Sequence, residues 1–146
     1  MTALGVWLWR REGRPVLFVL TTLVGAVALY LVTVSVDPRP RPPVKILDPG
    51  LDPTHSFPSG HVGASIAAYG VIVVLVWVYA RRTRWWVTPL LLVPPLIALA
   101  RLYEGAHHLS DVLASVVYAS VWLVTTTIVC LSSRASPTPP TRPGRD

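Results

Sequence analysis

Residues 15–36 run for 22 positions without a charged side chain. At ~1.5 Å of rise per helical residue, such a run crosses a hydrocarbon core about 30 Å thick. Only a helix or a closed barrel satisfies its own backbone N–H and C=O groups there. Three more apolar runs follow at 62–80, 87–100 and 112–131, divided by stretches of charge and proline. The third holds Pro89, Pro94 and Pro95, so a kinked span is expected. With 52% hydrophobic and 14% charged residues, the pattern predicts an all-α polytopic membrane helix bundle of about four transmembrane helices.

The flanks differ from this core. Residues 1–14 carry Trp7 and Trp9 beside Arg10, Arg11 and Arg14, the composition of an interfacial segment. Residues 132–146, rich in Pro, Ser, Thr and Arg, read as a disordered tail, leaving 15–131 as the membrane domain. The first apolar run is too long for a signal-peptide core and is expected to be retained. Cys130 is the single cysteine, so no intrachain disulfide forms.

The net charge of +6 does not mark nucleic-acid binding, because the basic residues cluster at the ends of apolar runs instead of forming one face. With four alternating spans, Arg10, Arg11 and Arg14, Arg81, Arg82 and Arg84, and Arg134, Arg142 and Arg145 share one side. The positive-inside rule makes that side cytoplasmic and puts both termini there. The extracytoplasmic face of the cell membrane then holds 37–59, a proline-stiffened loop, and 101–110. Arg39, Arg41, Lys45 and Arg101 stand on that face against the rule and call for another reason.

One reason is an anion site. Ser56-Phe57-Pro58-Ser59-Gly60-His61 opens the second span. Ser59 stands where a helix needs an N-cap, and Gly60 leaves backbone N–H groups unshielded, a setting that attracts phosphate. Alternation brings this terminus to the same face as Arg39, Arg41, Arg101, His107 and Asp111. A carboxylate four residues from His107 would fix its tautomer if the last helix begins there, making the ring a nucleophile. His61 would be the general acid, and Arg41, Arg101 and the Ser59 and Gly60 N–H groups would hold phosphate oxygens.

Plainer readings exist for each residue. His108 is also at a helical spacing from Asp111, Asp111 or Ser110 suits an N-cap, and Arg101 can snorkel to headgroups. Asp48, Asp52, His55 and Glu104 read as solvated loop residues, Glu104 being the best candidate for an exception. A metal site built from His61, His107 or His108, and Asp111 is a further alternative, opposed by the neighbouring Arg101 and by the lack of an HExxH-like pair.

The hexapeptide and Arg101-x5-His107-x3-Asp111, about 40 residues apart, resemble the second and third signatures of the type 2 phosphatidic acid phosphatase family. That fold is shared with vanadium haloperoxidases and bacterial acid phosphatases. The resemblance covers roughly 32–131. It implies His107 as nucleophile, Asp111 as its orienting partner, His61 as acid, and Ser59, Gly60 and Arg101 as phosphate ligands, favouring His107 over His108. It implies metal-independent hydrolysis of a lipid phosphate monoester or a polyprenyl diphosphate through a phosphohistidine, with no cofactor.

Three departures accompany the resemblance. Arg41-Pro42 match the end of the first signature, but Val34 stands at its Lys position, leaving Arg39 or Lys45 to supply the charge. Ala100 replaces the Ser before Arg101. Four spans instead of six correspond to the last four family helices, so a homo-oligomer or partner helices would complete the bundle. These departures define the alternative of a catalytically degenerate protein that binds a lipid phosphate without turnover.

Overall fold

Each apolar run becomes a helix in the computed structural model, which describes residues 13–48 and 50–132. Residues 1–12 of the expected interfacial segment at 1–14 and residues 133–146 of the expected tail at 132–146 lie outside the described residues, as does Pro49. The helices are α1 (Arg14–Val36), α2 (Gly60–Tyr79), α3 (Arg84–Tyr103) and α4 (Leu109–Leu131). All four are long and apolar enough to cross a membrane, and no strand occurs among the described residues. The chain is a multi-pass all-α membrane protein.

The boundaries follow local chemistry. Pro15 occupies the first turn of α1, where its missing N–H costs nothing, and Asp37, before Pro38, leaves the helical region. The third span is longer than the 87–100 expected and is broken inside. A short α turn, Arg84–Val87, passes into a 3-10 stretch, Thr88–Leu92, and α-helix resumes over Val93–Tyr103. Pro89 sits at the start of the 3-10 stretch and Pro94 in the first turn of the resumed helix, where prolines leave few carbonyls unpaired. Arg101 therefore lies in a final helical turn, not in the connecting loop.

Helix α2 is the hub, packed against α1, α3 and α4. Half of its apolar window is buried within the bundle, against 22% or less for the others. Phe18 from the start of α1, Val71, Leu75 and Tyr79 from α2, and Cys130 and Leu131 from the end of α4 form one buried cluster. Their positions along the three helices require an up-down-up-down course. At mid-bundle, α1 and α4 are tied by a buried hydrogen bond between the Thr22 and Thr126 hydroxyls (2.8 Å), and Trp122 Nε1 donates to the Thr22 carbonyl at 3.1 Å. Trp122 reaches α1 because residue 25 is glycine; a Cβ there would overlap its indole ring.

This course brings the loop between α1 and α2 to the same end as the loop between α3 and α4. The first loop folds back on itself, with Ser56 N–H donating to the Arg39 carbonyl (2.8 Å) and Arg41 N–H to that of Pro53 (3.1 Å). Leu47 N–H donates to the Glu104 carbonyl at 3.1 Å and joins the two loops.

Candidate active site

A cavity of about 510 Å³ opens at this end of the bundle. Arg41, His55, His61 and His107 line its loop end, and Leu23, Val27, Ala64 and Ala67 line walls that continue between α1 and α2. Two histidines far apart in sequence thus share a pocket, as the alternating spans require.

His107 is buried and precedes α4, whose N-cap is His108. The expected direct hydrogen bond of His107 with Asp111 is therefore not formed, and the two meet only at the limit of ion-pair distance. Nδ1 of His107 is 4.0 Å from Asp111 Oδ2 but 2.6 Å from the Ser56 carbonyl oxygen. A carbonyl only accepts, so Nδ1 carries the proton and Nε2 keeps its lone pair. Burial pushes the His107 pKa below its ordinary value; the Ser56 carbonyl opposes this, the charge of Arg41 reinforces it, Asp111 opposes it and Arg101 reinforces it. The net shift favours the neutral ring.

Asp111 is fully buried and has three other partners. Arg39 Nη1 donates to Oδ1 at 2.6 Å, and Oδ2 accepts from Ser56 Oγ at 2.5 Å and from His108 N–H at 2.8 Å. The last bond caps α4 from its third position, so the helix-capping role weighed for Asp111 coexists with a place in the site. Arg39 also donates to Ser110 Oγ at 2.7 Å. Of the two residues considered for the missing Lys charge, Arg39 is turned onto this carboxylate and Lys45 is exposed in the loop. His108 points elsewhere, its Nε2 lying 3.2 Å from the Pro40 carbonyl.

At the mouth of α2, Ser59 is the N-cap residue, yet its hydroxyl forms no cap bond. Ser59 Oγ is buried without a hydrogen-bond partner, and the first-turn N–H groups beside it lack intrahelical acceptors. Gly60 and His61 line the cavity. Arg41 is fixed by Nε donating to the Asp52 carbonyl (2.7 Å) and Nη1 to that of Ala106 (2.5 Å). Arg101 is held instead by Glu104 (2.6 Å) and Asp48 (3.4 Å). Those two acidic residues are thus ion-pair partners and not freely solvated ones, and Arg101 does not line the cavity.

His55 also departs from its solvated reading, since it lines the cavity while Nδ1 donates to Asp52 Oδ2 at 2.9 Å. The Thr54 hydroxyl and N–H, then His55, hold the Asp52 carboxyl down to about 2. Ser56 belongs to the motif but was given no role by sequence, because its bonds reach residues about 50 positions away. Among the described residues no three His, Cys, Asp or Glu side chains gather closely enough to hold a metal ion.

A family model described as the PAP2 superfamily matches residues 5–134. Comparison with curated proteins and with solved structures gave no match.

Proposed function

Because this chain belongs to the PAP2 superfamily, we propose that it is an integral membrane phosphatase that hydrolyses a lipid phosphate monoester or a polyprenyl diphosphate through a phosphohistidine. The observation that carries the reading is the single tautomer of His107 in a cavity shared with His61 and Arg41. The apolar continuation of that cavity between α1 and α2 suits a hydrocarbon chain attached to the reacting phosphate.

Nε2 of His107 attacks phosphorus, the P–O bond to the leaving group breaks, and His61 gives its proton to the departing oxygen, an alkoxide from a monoester or a lipid monophosphate from a diphosphate. Water then attacks the phosphohistidine, losing a proton to His61, and inorganic phosphate leaves with His107 restored. Arg41, the N–H groups at Gly60 and the unpartnered Ser59 hydroxyl hold the non-bridging oxygens. Arg101, which the sequence motif offers as a further phosphate ligand, would have to leave Glu104 and Asp48 to join them. Asp111 stabilises the cationic ring through Ser56 and by its charge at 4.0 Å. The pocket opens on the face opposite Arg81, Arg82 and Arg84, which the positive-inside rule makes extracytoplasmic.

A second reading, binding without turnover, draws on Val34 at the Lys position and on the diversion of Arg39 to Asp111, which leave the phosphate fewer cations. Phosphate release from lipid phosphates and diphosphates, measured on purified protein with a chelator present, separates the two. Release by wild type and not by His107→Ala supports the phosphatase; equal background rates support the binding protein.

A further inference from the structure

Two phenols line the cavity without a part in the chemistry above. Tyr30 of α1 and Tyr118 of α4 stand beside Gly60, His61 and Ala64 of α2. Glycines admit both. A Cβ at Gly60 would lie 3.0 Å from Tyr30 Cε2, and one at Gly63 would lie 2.8 Å from Tyr118 Cζ and closer still to its hydroxyl. The ring edge of Tyr30 and the hydroxyl of Tyr118 are therefore ranged along the first turn of α2, in the cavity that both residues line. Tyr118 reaches a point three residues, or ~4.5 Å, beyond the N-terminus where the phosphate would sit.

Neither hydroxyl bonds to another described residue. The buried hydroxyls of Thr22, Ser65, Ser115 and Thr126 all have partners, whereas at this site the Ser59 hydroxyl, like the two phenols, has none. A half-buried phenol in a low-dielectric site normally finds an acceptor.

We propose that Tyr30 and Tyr118 form a subsite for a hydrogen-bond-accepting oxygen of the substrate that lies immediately below the reacting phosphate. The inference rests on the reading that phosphate binds at the start of α2. In a plain alkyl phosphate the atoms at the depth of Gly63 are methylenes, which offer the phenols no acceptor. In a diphosphate they are oxygens of the inner phosphate, and in a glycerolipid they are ester oxygens. The pocket therefore selects substrates with an oxygen-bearing group next to the phosphate being removed.

The test uses hydrolysis-resistant ligands, so that affinity is read whether or not the protein turns over. Dissociation constants of the full chain in detergent are measured for a dodecylphosphonate, a methylene-bridged bisphosphonate on the same chain, and a diacylglycerol phosphonate. Wild type is expected to bind at least one of the oxygen-bearing ligands tighter than the dodecylphosphonate by roughly tenfold, about one hydrogen bond's worth. The Tyr30→Phe/Tyr118→Phe double variant, which keeps both rings, is expected to abolish that ratio. Loss confined to the bisphosphonate assigns the subsite to an inner phosphate, and loss confined to the glyceride assigns it to an ester. A wild-type ratio near one, or a ratio unchanged in the double variant, overturns the proposal. Failure of wild type to release phosphate from cleavable substrates overturns the phosphatase reading alone.

Discussion

Nδ1 of His107 is hydrogen-bonded to the backbone carbonyl of Ser56, and the carboxylate of Asp111 reaches that same residue through its hydroxyl. Carboxylate and imidazole are thus linked by one intervening residue. The carboxylate's remaining bonds, to Arg39 and to the His108 N–H, hold it in place.

This linkage makes Ser56 and Asp111 act as a unit. Ser56→Ala leaves the carbonyl present but frees it from the carboxylate, so kcat is expected to fall by about 10- to 100-fold, the value of a hydrogen bond to a charged group. Asp111→Asn should cost at least as much. The double variant should be little worse than Asp111→Asn alone, because the two changes break one connection. Fully additive losses in a double-mutant cycle would instead show that each residue acts on His107 independently.

The pH dependence follows from the direction of the His107 shift. Its pKa in the folded protein lies below the ordinary value of 6.5, with burial the largest cause. The neutral form, the nucleophile of the proposed reaction, is therefore lost only as pH falls through the depressed value. The acid limb of kcat/KM, which reports the free enzyme, is expected below 6.5 with unit slope. Arg41→Gln removes one positive charge that helps depress this pKa, so the limb should move upward while kcat/KM falls. Profiles of the two proteins measured between pH 4.5 and 8 check both.

Stability and chemistry should separate at mid-bundle. The Thr22–Thr126 bond joins α1 to α4 well away from the cavity's loop end. Thr22→Val is expected to destabilise the bundle by about 0.5–1.5 kcal/mol, the range of interhelical hydrogen bonds in membranes, with kcat unchanged. Unfolding in mixed detergent micelles and initial rates on the same preparation measure the two effects.

The number of spans and their alternation were legible because apolar runs of bilayer length have few other solutions. The break inside α3 was legible only as a kink. Three prolines mark where a helix is disturbed, but not whether it continues as 3-10 or resumes as α. The nearness of His61 to His107 followed from alternation. The wiring around them did not, since His107 lies one residue before the α4 N-cap and the three partners of Asp111 include Arg39 and Ser56, 72 and 55 residues away. Spacing along a helix says nothing of such contacts. For the same reason Tyr30 and Tyr118 look like ordinary apolar-run aromatics until the glycines of α2 show where their rings lie.

The central claim is that His107 carries the phosphoryl group. Protein mixed with a lipid phosphate or polyprenyl diphosphate bearing a radiolabelled terminal phosphate, quenched during turnover and digested, tests it most directly. An acid-labile, base-stable label on the peptide containing His107, absent from His107→Ala, is the expected result. Phosphate release at the same rate by His107→Ala, with no label on any histidine, would contradict it.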